Sequence, residues 1–189
     1  MRRIIISFLI IILIAVGVDM VCFKSIRKEP KGLISKFSWQ GRKEMGEELL
    51  AFKRVGIPSF WPRRLAIRKI YLFVTDPNGY IYTLKINPDG NLVPRFVVGK
   101  KGIELGEFNG PNFLAIKDND LYVLDAGNHR LQVLKINPDG NLTPKSIFGR
   151  RGANLGEFFL PLDLIIRGKH LYAVDAGNDR IQVLEMRYK

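Results

Sequence analysis

Residues 125–134 read "DAGNHRLQVL", and residues 175–184 read "DAGNDRIQVL", nearly the same phrase fifty positions later. A fixed period of this length marks a chain built by repeating one supersecondary unit. The copying runs well beyond the phrase. "INPDGNL" stands unchanged at 86–92 and 136–142, and "GKKGIELGEF" at 99–108 returns as "GRRGANLGEF" at 149–158. "LYVLDAGNHRLQVLK" at 121–135 agrees with "LYAVDAGNDRIQVLE" at 171–185 at ten of fifteen positions. A worn third copy lies upstream: "PRRLAIRKIYLFVTDPNGYIYTLKINPDGN" from Pro62 parallels "PNFLAIKDNDLYVLDAGNHRLQVLKINPDGN" from Pro111, with one residue deleted.

Each unit divides into four short strands. In the second, "FLAIK" is one strand, "DND" turns the chain, "LYVLD" is the next, "AGN" turns again, and "RLQVLKI" is the third. "NPDG" then turns into "LTPKSIFG". β-Branched and aromatic residues between Gly, Asn, Asp and Pro punctuation are strand signals, and no window holds a helical period. In NPDG the proline presets φ, the aspartate helps close the turn and the glycine accepts positive φ. Four strands per repeat of this length predict β-propeller blades that stack face to face. The expected fold class is all-β: three blades of four antiparallel strands, a partial or half propeller, behind an N-terminal hydrophobic helix.

The run of "GEF", a proline, an apolar strand, "LYVLD" and then D-A-G-N-x-R-[LI]-Q-V-L resembles the NHL repeat over residues 62–189. The Asp-to-Asn-to-Arg spacing is met at Asp125, Asn128 and Arg130, and again at Asp175, Asn178 and Arg180. The first unit departs from it, since "TDPNGY" keeps Asp76 but has Tyr80 in the arginine's place. The resemblance implies a propeller, usually six-bladed, that serves as a binding platform. Asp125, Asn128, Asp175 and Asn178 are expected to be structural, capping backbone groups at a turn every blade needs.

Alternation of antiparallel strands puts the AGN turns on the same face as the two links between blades. That face collects Lys100, Lys101, Arg150, Arg151, His129, Arg130 and Arg180, the candidate binding residues. A repeated dibasic pair concentrates positive potential on one rim and favours anionic partners.

The net charge of +12 comes from 30 Lys and Arg against 18 Asp and Glu over 189 residues, 47% of them hydrophobic. Cys22 is the single cysteine, and His129 and His170 are the two histidines, so no disulfide or thiolate cluster is expected and no metal or cofactor is assigned. At the N-terminus "MRRIIISFLIIILIAVGVDMVCF" has basic residues before an apolar run long enough for a bilayer span, with Asp19 as its one charge. Basic residues flank both ends, so orientation stays open. The expected organisation is a signal anchor at 1–23, a polar linker at 24–48 and blades at 49–189. The last divides into a closing strand and link at 49–61 and blades at 62–98, 99–148 and 149–189, the third lacking its last strand.

Together these features predict a membrane-tethered, non-catalytic platform outside the cytoplasm, binding a protein, a glycan or another polyanion. A metal-dependent lyase or hydrolase is the alternative, because some relatives are lyases with a metal in the central channel. Such a site wants several His, Asp or Glu from different blades, which the two histidines do not favour. RNA binding is the other alternative if the domain faces the cytoplasm. Nucleic acid is disfavoured because the links offer only Phe108 and Phe158 for base stacking, and both suit packing better. Three blades leave two expectations open: a homodimer that completes a six-bladed ring, with "ELLAFKRVG" at 48–56 as a strand closing the partner's third blade, or a shortened or split unit whose missing blades leave an open arc, alone or paired with another chain.

Overall fold

A computed structural model describes residues 61–186, an all-β arrangement of eleven strands in three antiparallel sheets. Blade 1 holds β1 (Leu65–Arg68), β2 (Tyr71–Thr75), β3 (Ile81–Ile86) and β4 (Leu92–Val98). Blade 2 holds β5 (Pro111–Lys117), β6 (Asp120–Asp125), β7 (Arg130–Ile136) and β8 (Leu142–Phe148). Blade 3 holds β9 (Pro161–Arg167), β10 (His170–Asp175) and β11 (Arg180–Glu185). Each sheet is a simple meander in which every strand pairs with the one before it. The expected leader, linker and closing strand lie outside the described residues. Among the described residues no helix is long and apolar enough to cross a membrane.

The strands fall where period-two alternation puts them, and the two faces of blades 1 and 2 bury separate sets. Phe73 and Ile81 of blade 1 meet Leu114, Leu121, Val123 and Leu134 of blade 2 in one cluster. Tyr122, Leu124 and Leu131 on the opposite face of blade 2 meet Leu164, Leu171 and Ala173 of blade 3 in another. The inner strands β1, β5 and β9 lie beside one another, which sets the blades in a row. Pro94 and Pro144 stand on the outer strands β4 and β8, opposite Leu84 and Leu134, each where the register slips by one. A proline there donates nothing to the ladder and blunts the edge against further pairing.

A phenylalanine plugs each gap between blades. The link at 99–108 closes on itself, because the Phe108 N–H donates to the Lys100 carbonyl at 2.8 Å and the Gly102 N–H to the Phe108 carbonyl at 3.2 Å. Phe158 repeats the arrangement with Arg150 at 2.8 Å and Gly152 at 3.1 Å. Both rings are fully buried in the inter-blade clusters. Gly149 shows why the link opens on glycine: its φ is +86°, and a Cβ there would sit 2.6 Å from the Phe158 ring. Truncating the plug, Phe158→Ala, should lower the unfolding free energy by about 3–5 kcal/mol, the usual cost of deleting a buried aromatic ring. Urea denaturation checks this, and a loss under about 1 kcal/mol would mean that the ring does not join blades 2 and 3.

Candidate functional site

The rim where the links meet the AGN turns is organised by a buried carboxylate at the end of each middle strand. Asp125 closes β6, and Ala126–Asn128 form one turn of 3-10 helix before β7 begins. The Asp125 Oδ1 accepts from the Asn109 N–H at 2.7 Å. Its Oδ2 accepts from Asn128 Nδ2 at 2.8 Å, Arg130 Nε at 2.9 Å and Gln132 Nε2 at 3.2 Å. Those three side chains then reach the preceding link. Asn128 donates to the Gly102 carbonyl at 2.8 Å, and Arg130 to the carbonyls of Ile103, Glu104 and Glu107. Gln132 donates to the Glu107 carbonyl at 2.5 Å and accepts from the Gly106 N–H at 2.9 Å. Gly127 sits so close to the start of the blade that a Cβ would lie 2.5 Å from the Asn109 carbonyl.

Blade 3 repeats the hub around Asp175, with the Phe159 N–H at 2.7 Å and Asn178, Arg180 and Gln182 at 2.9, 2.8 and 3.0 Å. Burial works against the charge on Asp175. The bonds from Asn178, Phe159, Arg180 and Gln182 outweigh it and hold the carboxyl below the ordinary carboxylate range. Blade 1 lacks the hub. Asp76 accepts only the N–H groups of Trp61 and Asn78, at 2.7 and 2.6 Å, among the bonds of the described residues. Beside it stands Tyr82, its phenol pushed above the ordinary range by burial and by the Asp76 charge.

This geometry thins the basic face expected from sequence. Arg130 is 8% exposed, and its guanidinium donors go to Asp125 and three backbone carbonyls. Arg180 donates in the same way to Asp175 and the carbonyls of Ala153, Asn154 and Glu157. Four of the five N–H donors of each guanidinium are thus committed within the blade. Lys100 pairs with Glu107 at 2.9 Å and Arg150 with Glu157 at 2.8 Å, so the first member of each dibasic pair is already neutralised. Gln132 and Gln182 have no place in the sequence-based site, although a glutamine repeated inside an apolar strand is the signal that marks them.

Lys101, Arg151 and His129 remain, and the last two converge on one ring. The Arg151 guanidinium lies 5.0 Å from the Phe159 ring centroid, and the His129 imidazole centroid lies 5.6 Å from it. His129 Nδ1 accepts from the Leu160 N–H at 3.1 Å. His129 and Leu160 both hold left-handed backbone, with φ of +54° and +48°. Such conformations in non-glycine residues persist only where the surroundings enforce them, and they gather at functional sites. At the junction of blades 1 and 2 the matching positions carry Gly79, Asn109 and Gly110. The two described junctions therefore differ in these side chains, while the left-handed backbone of His129 recurs at Asp179 in blade 3.

An Nδ1 that accepts a backbone hydrogen bond leaves the neutral ring with its proton on Nε2. His129 is therefore a hydrogen-bond donor. Burial, then the Arg151 charge, push its pKa below the free imidazole value, with Asp175 pulling weakly the other way. Among the described residues no three His, Cys, Asp or Glu side chains are grouped to hold a metal ion.

Residues 108–134 match the family model of the NHL repeat. That stretch is therefore an NHL repeat, set within blades of propeller-like fold. Its structure is similar to the periplasmic gluconolactonase PpgL of Pseudomonas aeruginosa, at 18% identity and a TM-score of 0.56, over 68% of this chain and 36% of that one. It is also similar to a proposed 6-phosphogluconolactonase from Bacteroides fragilis NCTC 9343, at 18% identity and a TM-score of 0.54, over 66% and 34% of the two chains. The chain thus spans about a third of the length of these structures. Curated proteins give no match. The expectation of a membrane-tethered, non-catalytic scaffold is corrected here, because the solved structures that share the fold carry lactonase names.

Two measurements check the hub and the histidine. Asp125→Ala leaves Arg130 buried without its counter-charge and should cost about 3–5 kcal/mol in urea denaturation. Asp175→Ala should cost less, since the Arg180 side chain is 30% exposed. For His129 the fold favours the neutral ring, so its contribution is complete above the free imidazole pKa of about 6.5. It is lost as pH falls through the lower folded pKa. Stability should drop from pH 7 to 5 and drop less in His129→Gln, while Asp175 contributes loss only below about pH 4. Equal slopes in the two proteins would remove His129 from the account.

Proposed function

We propose that this chain supplies blades of a lactone-opening hydrolase acting on sugar lactones, with the reaction at the rim around His129 and Arg151. The observation that carries this is the overlay of two thirds of the chain on two lactonase structures with TM-scores of 0.54 and 0.56. In the reaction, water adds to the lactone carbonyl, the carbonyl-to-ring-oxygen bond breaks, and the ring oxygen leaves as a hydroxyl carrying a proton from the water. The product is a hydroxy acid that ionises. The Nε2–H of His129 donates to the carbonyl oxygen as negative charge builds there, and Arg151 supplies a positive field on the same side. Donors fixed in advance by the fold lower such a barrier without reorganising.

A neutral donor suits this role better than an imidazolium, because it needs no proton at working pH. Lys101 and Arg151 also favour an anionic substrate, such as a phosphorylated lactone. The apolar run at 4–23 supports action outside the cytoplasm, and one of the two lactonases is periplasmic.

The test is a pH-stat assay of the full chain with glucono-δ-lactone and its 6-phosphate, each measured against spontaneous hydrolysis. The expected result is acceleration over the blank, lowered at least tenfold in His129→Ala and in Arg151→Ala. A donor lost from an oxyanion site typically costs about 10²–10³ in rate. A rate equal to the blank with both lactones overturns the proposal.

A further inference from the structure

Two Asn-Gly pairs occur in the chain, Asn78–Gly79 and Asn109–Gly110, and two Asp-Gly pairs lie in the NPDG turns, at 89–90 and 139–140. A glycine leaves its backbone nitrogen unshielded by any side chain, so that nitrogen can reach the amide carbon of the asparagine before it. The attack needs a glycine N–H that is not already committed, and the fold commits three of the four. Gly79 donates to the Asp76 carbonyl at 3.1 Å, Gly90 to that of Asn87 at 2.9 Å and Gly140 to that of Asn137 at 3.0 Å. Gly79 is also boxed in, since a Cβ there would stand 2.6 Å from the Phe108 carbonyl.

Gly110 differs. Its N–H donates no hydrogen bond among the described residues, and a Cβ built on it would meet nothing within 4 Å. The repeat supplies the reason. At the junction of blades 2 and 3 the equivalent N–H, on Leu160, goes to the His129 imidazole at 3.1 Å. At the junction of blades 1 and 2 the residue in the place of His129 is Gly79, which has no side chain to accept it. The Asn109 side chain is uncommitted too. It lies against Gly127, its Cγ 2.8 Å from where a Cβ of that glycine would stand, and makes no hydrogen bond among the described residues. The Asn109 backbone, by contrast, is tied at both ends, its N–H to Asp125 Oδ1 at 2.7 Å and its carbonyl to the Gly127 N–H at 2.9 Å.

We propose that Asn109 is a site of spontaneous deamidation, through attack of the Gly110 backbone nitrogen on the Asn109 side-chain amide carbon. The new nitrogen-to-Cγ bond forms as the Cγ-to-Nδ2 bond breaks, and ammonia leaves with the proton from the Gly110 N–H. Water then opens the cyclic imide at either carbonyl and returns a proton to the Gly110 nitrogen, leaving an aspartyl or an isoaspartyl residue. Either product sets a second carboxylate beside the buried Asp125. The isoaspartyl form also adds one carbon between the N–H that Asp125 holds and the carbonyl that Gly127 holds, so it loosens the hub of blade 2. Blade 3 carries Phe159 at this position and is spared. The assignment is independent of the lactone chemistry.

The test ages the full chain in mildly alkaline buffer with mild detergent, beside a sample unfolded in urea, and follows both by peptide mapping with mass spectrometry. Deamidation reads as a gain of one mass unit, and the isoaspartyl form as a second peptide peak of the same mass. In urea both asparagines should convert. In the native chain Asn109 should keep to within about tenfold of its unfolded rate, whereas Asn78 should fall further below its own, because its glycine N–H must first be released by local opening. Asn109→Ser should abolish the more acidic form that ageing produces on ion exchange, and Asn78→Ser should leave it. Equal native rates at the two asparagines overturn the proposal, and so does an Asn109 that outlasts Asn78.

Discussion

Everything at the rim depends on a carboxylate that is fully buried yet charged. Asp125 sits at the end of a strand with Arg130 and Gln132 beside it, and it accepts four hydrogen bonds. An isolated carboxylate could not be buried at tolerable cost, so its burial forces the surrounding donors into place. Those donors are bifunctional. Asn128, Arg130 and Gln132 each donate both to the aspartate and to the backbone of the preceding link, Asn128 and Gln132 from one amide nitrogen. A ten-residue link that would otherwise be an open loop becomes a fixed wall of the blade, and its phenylalanine is held in the gap between sheets. The phrase DAGN-x-R-x-Q is the chemical script for that arrangement.

The same commitment decides which charges are left to act. A rim that looks strongly basic in sequence spends its arginines on carbonyls and its first link cations on Glu107 and Glu157. The pairing holds Glu107 and Glu157 below the usual carboxylate range and raises Lys100 above the usual lysine range. At the junction of blades 2 and 3 the frame carries something the repeat does not require. His129 and Leu160 occupy left-handed backbone and are tied to each other, with Phe159 between His129 and Arg151. The left-handed turn at His129 recurs at Asp179 one repeat later, so what sets this junction apart is the His129–Leu160 bond and the Phe159 ring beside His129 and Arg151.

Much of the architecture is legible in the sequence because propeller strands obey local rules. The turns at 118–119 and 126–128, the NPDG turns and the buried phenylalanines follow from period-two alternation and turn chemistry. Lateral contacts are less legible. That Arg130 faces a link more than twenty residues earlier depends on a loop folding back, which spacing does not encode. For this reason Arg130 and Arg180 look like binding residues in sequence and are braces in the structure. Gln132 and Gln182 were overlooked for the same reason, being single polar letters in apolar strands. The His129 site is visible only as a difference between copies, at positions where Gly79, Asn109 and Gly110 face His129, Phe159 and Leu160. Function was the least legible part, since residue counts and repeat spacing do not say which side chains of the rim stay free once the blades are braced.

The claim that buried aspartates fix the links is tested most directly by native-state hydrogen exchange of four link amides. The N–H groups of Asn109 and Phe159 point at Asp125 and Asp175, and those of Gly106 and Gly156 point at Gln132 and Gln182. If the hubs hold the links rigid, these amides exchange as slowly as the neighbouring strand amides of Val123 and Ala173, because opening them requires breaking the hub. Exchange of all four as fast as the exposed turn amides of Asp89 and Asp139 would contradict the account.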